Sequence, residues 1–186
     1  MEAVLVIDML RDFVSGRLQC ERAERIIPNL LKLLSAARRC GIPVIYLNDA
    51  HLPVDFELRR WGEHAMRGTE GAEVVPELGP VEGDYVLEKR TYSGFYETGL
   101  DPLLRGLGVD TLVLTGIHTH LCVRHTAADA FFRGYRIVVP RDGTEAFTEE
   151  AHREGLRYLE EFYGADVTEV DELVKRWEKE GPETFK

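Results

Sequence analysis

One pattern constrains the fold of this chain more than any other: a stretch of helical spacing, then a glycine, then a short apolar run, repeated along the sequence. Gly41, Gly108, Gly134 and Gly164 each close a helical pattern shortly before the next run of Val, Ile and Leu. Helices commonly end on a residue in the left-handed conformation, and glycine adopts it without steric cost, so each glycine marks a helix C-terminus. The runs at residues 3–7, 43–47, 85–87, 111–115 and 136–139 are short and continuously apolar, which reads as buried parallel strands, and residues 166–170 supply a sixth. Helices are expected at residues 23–39, 99–107, 122–133 and 149–163. Strands and helices in this alternation build a parallel sheet covered on both faces, and ligands then bind beyond the carboxyl ends of the strands. Functional side chains therefore belong just after each strand.

No repeat, low-complexity tract or Pro/Gly-rich linker divides the sequence, so residues 1–186 read as a single domain. The rhythm breaks once, over residues 51–84, where Pro53, Trp61, Gly62, Gly68, Gly71, Pro76 and Gly79 interrupt any periodicity. Loops of this length inside a domain are usually functional. Residues 171–186 read as a charged helix or tail, solvated or in contact with another subunit.

Charge and cysteine usage narrow the function classes. The 33 Asp and Glu against 23 Lys and Arg give a formal net charge of -10, which disfavours nucleic acid and anionic membrane as partners. No apolar run is long enough to span a bilayer, and Met1 leads directly into an apolar strand rather than a signal peptide, so the expected location is cytoplasmic. The three cysteines, Cys20, Cys40 and Cys122, have neither the number nor the spacing of a disulfide framework or a zinc knuckle. Any cysteine chemistry must use one thiol.

Four strand ends carry candidates. Asp8 follows the first strand, where partial burial can raise its pKa into a range useful for proton transfer; its bland alternative is a turn or capping acid. Asp49 and His51 follow the second strand two residues apart, on one side of an extended backbone, and His64 lies further along the loop. Three such ligands with open positions suit a substrate-polarising metal. Lys89 follows the third strand and could equally be a surface charge paired with Glu88. After the fourth strand, Gly116-Ile117-His118-Thr119-His120-Leu121-Cys122 leads into a helix beginning near Cys122. A thiol at a helix N-terminus is expected to have a lowered pKa, beside backbone N–H groups that can bind a developing oxyanion. Cys20 and Cys40 read as packing residues. His125, three residues beyond Cys122, offers a rival base on the same helix face.

Together these motifs resemble the isochorismatase-like cysteine hydrolases, the superfamily that includes nicotinamidases, N-carbamoylsarcosine amidases and isochorismatases. The likeness runs through V-I-D-M-L-R-D-F, G-I-P-V-I-Y-L-N-D-A-H, W-G-E-H-A-M-R-G-T-E-G-A-E-V, E-K-R-T-Y-S-G-F and G-I-H-T-H-L-C-V-R-H-T-A-A-D-A, nearly the whole chain. The resemblance implies a three-layer, Rossmann-like α/β fold with a six-stranded parallel sheet. It implies a triad of Asp8, Lys89 and Cys122 that hydrolyses a carbon–nitrogen bond, most readily that of nicotinamide. It also implies a cis peptide bond between Ile117 and His118, with the His118 and Cys122 amides as the oxyanion hole. Asp49, His51 and His64 match a divalent-metal set, zinc being the expected ion, and Phe13 and Trp61 match the walls around the substrate ring. The chain departs from the nicotinamidase pattern in a short loop between His51 and His64 and in His118-Thr119-His120-Leu121 before the cysteine, which brings N-carbamoylsarcosine amidase-like substrates into range. A homo-oligomer, dimer or tetramer, is implied, with Trp177, Phe131 and Phe132 as interface candidates that could equally be core. A non-catalytic ligand-binding relative and a metal-dependent hydrolase with an incidental cysteine are the readings from other classes.

Overall fold

The computed structural model describes residues 1–181. Its sheet is built from β1 (Glu2–Ile7), β2 (Val44–Asp49), β3 (Tyr85–Lys89), β4 (Thr111–Ile117), β5 (Arg136–Pro140), β6 (Thr144–Glu145) and β7 (Asp166–Thr168). Every pairing among these strands is parallel. The spatial order is β3-β2-β1-β4-β5-β7, with β6 beside the end of β4. The six-stranded expectation is therefore corrected to seven. The added strand is two residues long, below the length at which an apolar run can register.

The helices are α1 (Arg11–Val14), α2 (Ile27–Arg39), α3 (Leu58–Trp61), α4 (Leu100–Gly106), α5 (Arg124–Phe132), α6 (Glu149–Tyr163) and α7 (Val170–Glu180). Gly41, Gly108, Gly134 and Gly164 have φ of 71°, 72°, 79° and 62°, as left-handed helix ends require.

Alternate residues of each central strand point to opposite faces, and both faces are covered. Val4, Val6 and Tyr46 face one core cluster with Leu30, Leu33 and Leu34 of α2 and Leu173 and Trp177 of α7. Leu5, Ile7, Ile45 and Leu47 face a second cluster with Leu104 of α4, Ala127 of α5 and Leu159 of α6. This two-sided burial explains why the strands read as unbroken apolar runs. It also corrects one reading of the tail: Trp177 is 2% exposed and belongs to the core. The residues of the tail beyond 181 lie outside the described residues. Phe131 and Phe132 are exposed, and β3, an edge strand, leaves Val86 half exposed where a buried strand was expected. Among the described residues, no helix is long and apolar enough to cross a membrane.

A close approach at the sheet's carboxyl edge positions the site. Gly116, near the end of β4, has φ 95°, and a Cβ there would lie 2.0 Å from the Ile7 carbonyl oxygen of β1. Only glycine fits, and its absence of side chain lets β1 and β4 end side by side. Asp8 follows directly with φ 54°, in the left-handed region that Asp tolerates better than most residues, and its N–H donates to Leu47 O at 3.0 Å.

Candidate active site

Asp8, Asp49, Lys89 and Cys122 stand at the carboxyl ends of β1, β2, β3 and just beyond β4, the places that strand order brings together. Lys89 is 1% exposed, which rules out the surface-charge reading. Its Nζ lies 2.8 Å from Asp8 Oδ2, 2.5 Å from Asp49 Oδ1 and 3.7 Å from Cys122 Sγ, and it donates to Thr91 O at 3.1 Å. The Asp49 N–H donates to Asp8 Oδ1 at 2.9 Å. Oxygens of Asp8 and Asp49 and the sulfur of Cys122 lie within 4.8 Å of one another.

Burial sets the electrostatics of this cluster. Removal from water, with Asp49 close by, pushes Asp8 up to about 6 even though Lys89 pulls the other way. Burial alone would push Lys89 down, but Asp49 and Asp8 more than offset it and hold the ammonium charged. Asp49 stays below its ordinary value because Lys89 and His51 outweigh its own burial. Cys122 corrects an expectation. Its thiol is pushed well up by burial, Lys89 opposes this, and the Asp8 and Asp49 carboxylates add to the rise. The expected helix start is corrected with it: Cys122 sits inside a π-helical turn, Thr119–Val123, and α5 begins only at Arg124. The resting cluster thus holds a protonated thiol beside an acid poised near neutrality. The Ile117–His118 peptide bond is cis. His125 is exposed and stacks on Tyr92 with ring centroids 5.3 Å apart, apart from the cluster.

A second group shares Asp49. One ligand atom each from Asp49, His51, Glu57 and His64 lies within 4.8 Å of the others. His51 Nε2 is 3.4 Å from Asp49 Oδ2 and 3.9 Å from Glu57 Oε1, and His64 Nε2 is 4.0 Å from the same Glu57 oxygen. The outer nitrogens are already engaged: His51 Nδ1 lies 3.2 Å from Asp55 Oδ2, and His64 Nδ1 lies 2.8 Å from Gly62 O. Asp55 also accepts the Leu52 N–H and the Arg90 guanidinium, which hold its carboxyl down to about 2. Asp49 Oδ2, His51 Nε2 and Glu57 Oε2 are buried with no hydrogen-bond partner. Two imidazole nitrogens and two carboxylates in this state fit a divalent cation, and the bonds at the outer nitrogens would fix ring orientation for one. Burial and the Asp49 charge raise Glu57 to about 7, while Asp49, Glu57 and Asp55 lift His51 against its own burial.

Asp8, Asp49 and Cys122 of the first group and Asp49, Glu57 and His64 of the second line one cavity, which is closed down to about 20 Å³, and its other walls are Phe13, Leu18, Trp61, Tyr92, His118, Leu121 and Phe147. Phe13 packs against His64 at 5.4 Å and His118 at 6.1 Å, and the Trp61 N–H donates to the Tyr92 hydroxyl at 2.9 Å. Trp61 stacks on Phe147 with centroids 6.1 Å apart. Glu57, Tyr92 and Phe147 are site residues that sequence reasoning missed. For Glu57 a signal existed, the pair Asp55 and Glu57 between two histidines; Phe147 arrives through β6 and had none.

The fold and site define a three-layer α/β protein with a lysine-linked pair of acids and a cysteine at the sheet's carboxyl edge. Residues 2–172 match the isochorismatase domain model, and the chain belongs to the isochorismatase family of hydrolases. It is 46% identical to the crystal structure of N-carbamoylsarcosine amidase from Thermoplasma acidophilum, covering 91% of this chain and 96% of that one with a TM-score of 0.86. It is 36% identical over 177 residues to nicotinamidase 3 of Arabidopsis thaliana, covering 92% of this chain and 86% of the relative. The pyrazinamidase of Pyrococcus horikoshii, solved in complex with zinc, is 29% identical over 90% of this chain and 98% of that one, with a TM-score of 0.84.

Proposed function

We propose that the protein is a cysteine amidohydrolase that releases ammonia from a small neutral amide, with nicotinamide the best fit. The observation that carries this reading is Lys89 Nζ, buried and in reach of Asp8, Asp49 and Cys122 at once. A binding module has no use for so costly an arrangement, since buried charges must be paired to be tolerated. Asp8 takes the proton from Cys122, and Lys89 holds the thiolate as it forms. The thiolate attacks the amide carbonyl, whose oxygen gains negative charge facing the His118 and Cys122 amides. Asp8 returns the proton to the departing nitrogen, ammonia leaves, and an Asp8-activated water then cleaves the thioester.

Asp49, His51, Glu57 and His64 would hold a divalent metal, with zinc as the proposed ion. When bound, it supplies a Lewis acid toward a lone pair of the substrate ring. Phe13 and Trp61 are proposed as the walls that receive that ring. The cavity walls are aromatic and aliphatic, its acids are Asp8, Asp49 and Glu57, and the nearest cation, Lys89 behind them, is already committed to two carboxylates. That lining favours a neutral planar amide over a substrate carrying its own carboxylate. The 46% identity to an N-carbamoylsarcosine amidase favours the second reading, hydrolysis of a carbamoyl compound. Ammonia release from nicotinamide, pyrazinamide, N-carbamoylsarcosine and aliphatic amides separates the two. Turnover confined to N-carbamoylsarcosine overturns the first.

A further inference from the structure

His118 has a side chain that the chemistry above does not use. The proposed oxyanion contact takes only its backbone N–H. The imidazole is 4% exposed, lines the cavity beside Cys122, and stacks face to face on Phe147 with centroids 4.0 Å apart and planes at 24°. Phe13 meets it edge-on at 6.1 Å, and the His120 ring lies 6.1 Å away on another side. Neither Nδ1 nor Nε2 has a hydrogen-bond partner in the protein. A buried imidazole with both nitrogens unpaired is unusual, because a phenyl ring would stack as well at no desolvation cost. Burial also drives its pKa down to about 3, so the ring is neutral, one nitrogen a donor and the other an acceptor. Of the other polar groups of the lining, Asp8 and Asp49 Oδ1 contact Lys89, His64 Nδ1 meets Gly62 O, Tyr92 accepts from the Trp61 indole, and Asp49 Oδ2 and Glu57 belong to the candidate metal set.

We propose that the His118 side chain is a specificity-determining group that hydrogen-bonds a polar atom of the substrate outside the scissile amide. The favoured substrates are then amides whose body carries a ring nitrogen, N–H or hydroxyl, and hydrocarbon-bodied amides are rejected because they leave the buried imidazole unpaired. This rests on the amidohydrolase reading and narrows its substrate class.

The test compares benzamide with nicotinamide, pyrazinamide and meta-hydroxybenzamide on wild-type protein, His118→Phe and His118→Asn, each metal-loaded and chelator-treated. Phenylalanine keeps the stack on Phe147 and removes the polar atoms; asparagine restores some of them. The wild type is expected to favour the polar amides in kcat/KM by roughly 10- to 100-fold, a preference that persists in part after chelation. His118→Phe is expected to reduce that ratio by about tenfold or more, whatever its effect on the absolute rates, and His118→Asn to recover part of it. Equal losses on all four amides would assign His118 a packing role and overturn the proposal, as would an unchanged ratio. If the wild type releases ammonia from none of them, the nicotinamide reading fails. Trp61 fluorescence then reports binding of the same amides to the Cys122→Ala protein, where equal affinities with and without the His118→Phe change overturn the proposal as well.

Discussion

The two clusters that share Asp49 differ in how complete they are. On one side, Asp49 Oδ1 meets Lys89, and the lysine's remaining contacts go to Asp8, Thr91 and Cys122, so its buried charge is fully surrounded. On the other side, Asp49 Oδ2, His51 Nε2 and Glu57 Oε2 converge without a partner among them. The first is an ion network whose charges pair within the protein, and the second is a set of donors suited to the divalent cation proposed above. One carboxylate divided between them couples the electrostatics of the proposed nucleophile to the occupancy of the proposed metal site. The difference also separates the roles: loss of a residue from the ion network should damage chemistry and fold, and loss from the donor set should damage ligand binding first.

The largest effect is expected at Cys122. Cys122→Ala should reduce ammonia release by about 10⁴-fold or more with thermal stability little changed, measured by steady-state assay and by melting. Lys89→Met should be the most destabilising change at the site. It leaves Asp8 buried with no counter-charge and Asp49 with only His51 beside it, and breaking a buried pair in this way costs about 3–5 kcal/mol, readable by denaturant titration. Wild-type stability in that variant would mean that the network's charges do not depend on Lys89. His51→Ala should weaken zinc binding, in competition with a chromophoric chelator, by more than the roughly 10- to 100-fold that loss of an outer-shell partner costs. Equal zinc affinity in wild type and variant would remove the metal role from the donor set.

Smaller effects follow from Asp8 and Phe147. Asp8 must be ionised to accept the thiol proton, and its pKa is raised to about 6, so kcat/KM should climb about tenfold per pH unit below that value and level off above it. A rate flat from acid to neutral pH would contradict its role as base. Phe147→Ala should open the wall between His118 and Trp61 and improve turnover of bulkier ring-substituted amides by several-fold relative to nicotinamide, since one hydrophobic pocket contact discriminates only modestly.

What the chain's sequence makes legible, and what it hides, divides along the same line. Asp8, Lys89 and Cys122 follow apolar runs long enough to be recognised as strands, so their convergence could be expected from topology alone. Asp49, His51 and His64 could be read as a group because two of them flank a strand end two residues apart. Glu57 lies in a loop whose path depends on contacts made elsewhere, such as Asp12 Oδ2 accepting the Ala65 N–H at 2.8 Å across 53 residues. Phe147 reaches the cavity from β6, a strand defined only by its partner β4. The direction of the thiol pKa is hidden in the sequence for a related reason. Position at a helix start is visible in a sequence, whereas the depth of burial that overrides it is set by packing from β1, β2 and β4 together.

The central claim is that Cys122 carries the acyl group during turnover. Rapid acid quench of the enzyme with nicotinamide, followed by peptide mass spectrometry, tests it most directly. The expected result is a transient nicotinoyl adduct confined to the Cys122 peptide and absent from Cys20 and Cys40. Steady ammonia release by the Cys122→Ala protein at the wild-type rate, with no adduct on the wild-type cysteine, would contradict it.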